Sequence, residues 1–291
     1  MPDLHLHKLH ATGNDFLVRL GLEPSPFIEL DTVSIAALCD RHRGVGADGL
    51  ITIGPAADGA DCTMTLHNAD GGLAEMSGNG IRCLAWVAAR AGLARRGEEL
   101  VVDTAAGRRT VTLERDADGD VVAADVDMGP VTFDAARIPV DADPVDLEAV
   151  VHGVTYRGDA AGMGNPHFVI FVDDPATVRV AQHGSRLEQD PRFPRRTNVE
   201  FVAVSDVDTL TMRVWERGAG ETQSCGTGAC AAAAVAHRRG LVGTDVRVSV
   251  RGGSLAVALG DTIRLGGPVV HVFDVDISPA RLRETVAHPI A

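Results

Sequence analysis

A chain of 291 residues has room for two domains of ordinary size, and its 45% hydrophobic content is that of a globular protein rather than a disordered one. A formal net charge of −13 argues against nucleic acid and against anionic membranes as partners. No apolar run approaches the roughly 18 residues of a membrane span. Residues 1–16 lack the apolar core of a signal peptide, and five cysteines are an odd number with no disulfide framework, so the thiols read as reduced and the setting as cytoplasmic. Lys8 is the only lysine. Pyridoxal phosphate enzymes hold their cofactor as a Schiff base on a lysine, so that role could fall only to Lys8, in a stretch that reads as a strand. Any amino-acid chemistry here is expected to run without that cofactor, and no cofactor or metal is expected.

In chain order, 4–9 alternates apolar and polar residues as a half-buried strand does. His5 and His7 share one face of it and His10 lies just beyond; with no carboxylate or cysteine at matching spacing nearby, they read as solvated strand histidines rather than ligands. Thr12-Gly13-Asn14-Asp15 is a turn cluster. A helix is expected over 35–41 and a strand over 50–53. Asp58-Gly59 marks a hairpin turn before a strand over 62–67. An apolar helix over 81–91 is followed by strands over 100–103, 109–114 and 121–126. Gly129-Pro130 suggests a boundary near 128, which makes 1–128 one half and 129–275 the other, with 276–291 returning to the first. The second half opens on a weakly patterned region, 131–147. Strands are then expected over 168–172, 199–204, 246–250, 254–259, 262–265 and 269–277, with a buried Ala-rich helix over 229–237.

The helices carry the main signal. Before the second one stands Glu216-Arg217-Gly218, then a polar loop ending on Cys225-Gly226-Thr227-Gly228. A thiol at a helix N-terminus meets unsatisfied N–H groups and the positive end of the dipole, which is expected to lower its pKa. The plain alternative is a buried cysteine at a tight turn. A shift of 148 residues brings Asn68 onto Glu216, Ser77 onto Cys225, and Gly78 and Gly80 onto Gly226 and Gly228, without a gap from Asn68 to Leu93. Duplication is the better reading, with each half offering a helix N-terminus to one shared site. Two such ends form a cage of N–H groups for a carboxylate, and Asn14, Asn68, Asn165 and Asn198 at neighbouring strand ends suit a polar lining. Gly226-x-Gly228-x-x-Ala231 also matches a dinucleotide fingerprint, but the preceding loop is not a strand end.

At these residues the chain resembles the diaminopimelate epimerase family over nearly its whole length. The resemblance rests on Thr12-Gly13-Asn14-Asp15-Phe16, Asn68-Ala69-Asp70-Gly71, Gly78-Asn79-Gly80-Ile81-Arg82, Gly164-Asn165-Pro166-His167-Phe168, Arg196-Thr197-Asn198-Val199-Glu200-Phe201, and Glu216-Arg217-Gly218 with Cys225-Gly226-Thr227-Gly228. It implies an α+β fold of two pseudo-symmetric domains, each a β-sheet wrapped around a central helix, with the active site in the cleft between them. It implies a cofactor-independent enzyme that interconverts LL- and meso-2,6-diaminopimelate with two cysteines on opposite faces of the α-carbon, typically as a homodimer. Carried over by motif, Cys225 matches one catalytic thiol. Asn14, Asn68, Asn165, Asn198, Glu216 and Arg217 match substrate contacts, and Gly78-Asn79 and Gly226-Thr227 match contacts to the reacting carboxylate. His167 and Glu216 match residues that orient the reacting end. The chain departs from the family at Ser77, where the second catalytic thiol should stand; Cys83, six residues on, does not replace it. A serine hydroxyl is a far weaker acid than a thiol, whose free pKa is about 8.5. An impaired epimerase, a slow or water-assisted one, one-base chemistry as in the proline racemase group, and a non-catalytic amino-acid-binding protein all remain open at this point.

Overall fold

A helix that is apolar on every side has to be enclosed, and two segments of this chain are built that way. In the computed structural model, which describes residues 3–22, 30–56, 59–94 and 97–286, they become α2 and α4. The chain forms two compact units, Met1–Val126 with Pro268–Ala291, and Asp127–Gly267.

The first unit contains β1 (Leu4–Ala11), β2 (Asn14–Leu20), α1 (Thr32–Cys39), β3 (Gly49–Gly54), β4 (Cys62–Asn68), β5 (Leu73–Ala74), α2 (Gly78–Arg90), β6 (Glu99–Thr104), β7 (Gly107–Arg115) and β8 (Val121–Asp127). The second contains β9 (Leu147–Val151), β10 (Val154–Gly162), β11 (Pro166–Phe171), α3 (Val180–Leu187), β12 (Asn198–Asp206), β13 (Thr209–Glu216), β14 (Gly220–Glu221), α4 (Gly226–Arg238), β15 (Asp245–Val250), β16 (Gly253–Ala258) and β17 (Arg264–Pro268). The chain then closes with β18 (Val270–Ile277) and α5 (Pro279–Val286).

Each unit pairs its strands in the same order. β1–β2, β3–β4, β4–β5, β6–β7 and β7–β8 are antiparallel, whereas β2–β3 and β4–β6 are parallel. In the second unit β10–β11, β12–β13, β13–β14, β15–β16 and β16–β17 are antiparallel, and β11–β12 and β13–β15 are parallel. The 148-residue shift is thus a repeat of topology as well as of residues.

The central helix of each unit is buried from its first residue through its eleventh, Gly78 to Ala88 in α2 and Gly226 to Ala236 in α4. Ile81, Leu84 and Val87 each contribute about 1.5–3 kcal/mol by leaving water. In α4 alanine does the same work with less bulk and no side-chain entropy to lose. Outside α2, Leu4, Leu6, Leu17, Ile35, Leu38 and Leu282 form a second apolar layer of the first unit, so α5 packs with α1.

The sequence reading placed 269–275 in the second half and returned only 276–291. Val270–Ile277 instead pairs antiparallel with β1, Leu4 opposite Ile277 and His7 opposite Asp274. It occupies beside β1 the place that β9 occupies beside β10. Without it β1 would expose one row of backbone groups, so the crossing back falls at Pro268. The expected turn at Asp58 lies outside the described residues, as do 287–291 of the tail. Several elements, β2, β9, β10, α3 and α5 among them, had no clear sequence signal. Within β10, Gly158 lies so close to β11 that a Cβ there would be 2.0 Å from the Val169 carbonyl oxygen. In α3, Gly184 packs against Trp215 in the same manner.

The buried thiols make stability pH-dependent. Burial raises Cys39 to about 11 and Cys62 and Cys83 to about 12. The unfolded thiols ionise near pH 8.5, so between that pH and the folded values the unfolded chain sheds protons that the folded one keeps. Each thiol then removes up to about 1.4 kcal/mol per pH unit. Thermal melts should show Tm falling from pH 8 to pH 10.5, with a shallower slope in Cys62→Ala; an unchanged Tm over that range would show that these thiols do not resist ionisation.

Candidate active site

In the first unit β4 ends on Asn68, and a tight loop follows. Gly71 N–H donates to the Asn68 carbonyl (2.9 Å) and Asn68 N–H to the Gly72 carbonyl (2.8 Å). Gly71 has φ +82°, and a Cβ there would stand 2.3 Å from the Thr32 carbonyl oxygen, so both conformation and space require glycine. Asn68 itself is exposed.

Ser77 is the N-cap of α2, in extended conformation, and its Oγ accepts from Gly80 N–H at 3.0 Å. Behind it the first turn is held by the fully buried Arg82, which donates to the Gly78 carbonyl (3.0 Å) and to Asn79 Oδ1 (2.7 Å). Asn79 Nδ2 donates to Asn14 Oδ1 (3.2 Å), and Asn14 Nδ2 to Asp48 Oδ2 (2.6 Å). Asn14, Ser77, Gly78 and Asn79 are therefore brought together. Arg82 and Thr12 join them unforeseen, although an arginine inside an otherwise apolar helix is a readable signal.

In the second unit Cys225 is the N-cap of α4, again extended, but its side chain does not cap the helix. The sulfur lies 3.5 Å from Thr227 Oγ1. Asn165 Nδ2 donates to the same Thr227 Oγ1 (3.4 Å), and Asn165 Oδ1 is 2.8 Å from His167 Nε2. His167 Nδ1 donates to Glu200 Oε1 at 2.7 Å, and both side chains are fully buried. Parallel pairing of β11 and β12 sets this contact, since His167 is in register with Asn198, two residues before Glu200. Glu200 Oε2 has no hydrogen-bond partner among the described residues.

Glu216, at the end of β13, accepts from Thr222 Oγ1 (2.5 Å). Asn198 is used as a clamp: Nδ2 donates to the Pro166 carbonyl (3.0 Å) and Oδ1 accepts from Arg217 N–H (2.8 Å). The Arg217 side chain is exposed and donates to the Arg195 carbonyl (3.1 Å). Glu200 is the residue of the second unit that site reasoning on the sequence missed. Its signal was a carboxylate between Val199 and Phe201 in a buried strand, where an unpaired charge is costly.

The expectation that the helix end lowers the Cys225 pKa is overturned. The thiol is pushed well above its ordinary value, first by burial, then by the charges of Glu216 and Glu200, against smaller opposing contacts from Thr227 and Gly228 N–H. Burial likewise raises Glu216, against hydrogen bonds from Thr222 and Cys225. Cys225 is thus a protonated thiol under the charge of a carboxylate that itself holds a proton more readily than usual. Cys83 lies fully buried inside α2 and offers no substitute for a thiol at position 77.

A sequence model described as diaminopimelate epimerase matches residues 6–133 and 160–271. Diaminopimelate epimerase of Moorella thermoacetica is 43% identical over 283 residues, covering 94% of this chain and 99% of the relative. That of Heliobacterium modesticaldum is 42% identical over 274 residues, covering 91% and 96%. Among solved structures, a hydroxyproline epimerase from Agrobacterium vitis superposes with TM-score 0.73 at 19% identity, covering 97% of this chain and 96% of that one, a likeness of fold alone.

Removing the negative charge at 216 should ease ionisation of the thiol. In Glu216→Gln, alkylation of Cys225 by iodoacetamide at pH 8, followed on the peptide carrying residue 225, should accelerate severalfold. An unchanged or slower rate would mean that Glu216 does not hold the thiol proton.

Proposed function

The chain belongs to the diaminopimelate epimerase family, and from that premise we propose that it interconverts LL- and meso-2,6-diaminopimelate with Cys225 as the proton-transferring thiol and no pyridoxal phosphate. The observation that carries the reading is the Cys225 thiol at the head of a buried helix, joined through Thr227, Asn165 and His167 to Glu200, and held protonated by burial and the charge of Glu216. Lys8 supports the cofactor-free chemistry. It is buried and its ammonium is held by Asp15 and the Gly46 carbonyl, away from the role of a Schiff-base amine.

In this reading the first turn of α2, at Gly78-Asn79, and the first turn of α4, at Gly226-Thr227, each offer hydrogen-bond donors suited to a carboxylate. Fixed N–H donors stabilise the charge that develops on the carboxylate as the α-proton leaves. Glu216, whose charge keeps the proton on the resting thiol, orients the reacting end. His167, fixed by Glu200, orients Asn165. Asn14, Asn68, Asn165, Asn198 and Arg217 belong to the binding of the distal amino and carboxylate groups, Asn198 by holding the 216–218 backbone in place. No helix among the described residues is long and apolar enough to cross a membrane. A homodimer in the cytoplasm is proposed on the family resemblance alone.

Ser77, which stands where the resemblance expects the second thiol, is the limiting group. Its hydroxyl is a weak acid and already accepts a hydrogen bond from Gly80. That same contact favours a second reading, in which the chain binds the amino acid and exchanges its α-proton from one face only, or not at all.

Ser77→Cys should raise the epimerisation rate by about 10²-fold or more, the usual worth of a positioned acid–base group. It should also lower stability by about 1 kcal/mol through loss of the cap. Cys225→Ala should abolish turnover. An unchanged rate in Ser77→Cys would remove residue 77 from the reaction.

A further inference from the structure

Three histidines and two aspartates meet on β1 and β18, far along the chain from the residues assigned to catalysis. The register sets His5 opposite Asp276 and His7 opposite Asp274. Each pair is closed by a hydrogen bond, His5 Nδ1 to Asp276 Oδ1 at 2.7 Å and His7 Nδ1 to Asp274 Oδ1 at 2.6 Å. The register then shifts after Lys8, so His271 comes opposite Leu9. From there His271 Nε2 reaches the same Asp274 oxygen at 2.7 Å. One carboxylate oxygen thus stands between two imidazoles. The expectation that these histidines lacked a nearby carboxylate failed because the carboxylates come from the other end of the chain.

The cluster is built rather than scattered. The His5 and His7 rings meet edge to face at 4.7 Å between centroids. His271 stacks parallel on Trp86 of α2 at 4.6 Å, with 5° between the planes, and Arg90 lies over the other component of that stack, 4.8 Å from the Trp86 ring centre. His7 and His271 are partly buried, which limits their rotamers. One ligand atom each from His5, His7 and Asp274 lie within 4.8 Å of one another. Four-coordinate zinc has bonds of about 2.0–2.2 Å, which puts its ligand atoms about 3.3–3.5 Å apart, so a small side-chain adjustment suffices. Asp276 and His271 remain to orient the ligands, as outer contacts do at metal centres.

We propose that His5, His7 and Asp274 bind one first-row divalent cation, with zinc the best match to two imidazoles and one carboxylate. The ion bridges the first strand of the chain to the strand that returns from its other end. It would therefore fasten β18 to β1 and stabilise the first unit, without a part in the proton transfer at Cys225.

The test titrates the protein with Zn²⁺ alone against a chromogenic chelator at pH 7.5, in the unaltered chain and in His5→Gln, Asp274→Asn and Cys225→Ala. One equivalent should bind in the unaltered chain and in Cys225→Ala, raising Tm in both. Affinity should fall at least about tenfold in His5→Gln and in Asp274→Asn, two variants at exposed positions. Absence of a saturable equivalent, or binding that survives both variants or disappears in Cys225→Ala, would overturn the proposal and leave a hydrogen-bonded network only.

Discussion

Glu200 lies so close to the first turn of α4 that residue 228 has no room for a side chain: a Cβ there would be 2.7 Å from Glu200 Oε1 and 3.3 Å from the Cys225 sulfur. That approach adds to burial and to the larger effect of Glu216 in keeping the proton on the thiol. A unit charge at about 4 Å is worth about 4 kcal/mol at an effective dielectric of 20. The favourable field of a helix end is worth about 0.3–1 kcal/mol, and about 2 at most. Two carboxylates and burial therefore outweigh the helix, and the thiol keeps its proton. His167 makes the buried carboxylate tolerable by occupying one oxygen.

The two helix ends share a backbone and differ in what the cap residue does. Ser77 and Cys225 are both extended and both stand before a glycine pair two residues apart. In α2 the third residue, Gly80, is equally constrained, with a Cβ there 3.0 Å from Ile51 Cδ1 and 3.2 Å from Ser77 Cβ. Oxygen at position 77 satisfies an orphan N–H of the helix. Sulfur at position 225 does not, and turns to Thr227 instead. One position contributes to helix stability, the other is available for proton transfer, and the proposal for function rests on that division.

Much of this was legible before any coordinates. The repeat of Asn68 to Leu93 on Glu216 to Leu241 announced two similar units, and the apolar runs after Gly80 and Gly228 announced their enclosed helices. What escaped reading depends on long-range pairing. Nothing local in 270–277 says that it lies beside β1, because its alternation suits either unit. Gly158 and Gly184 gave no signal in the sequence, yet each marks a close approach inside an element. The direction of the Cys225 shift required knowing that Glu200, from another strand, stands over the helix end. The histidines of β1 needed the same information about Asp274 and Asp276.

The central claim is that Cys225, and no equivalent group on the other side, exchanges the substrate α-proton. Each stereoisomer of diaminopimelate can be incubated with the protein in deuterated water, and α-deuterium counted separately in recovered substrate and in epimer. The account predicts that one isomer takes up deuterium without inversion, faster than epimer forms, because a proton leaves and returns on the Cys225 face. Absence of α-deuterium from every stereoisomer, or uptake only in step with inversion, would contradict it.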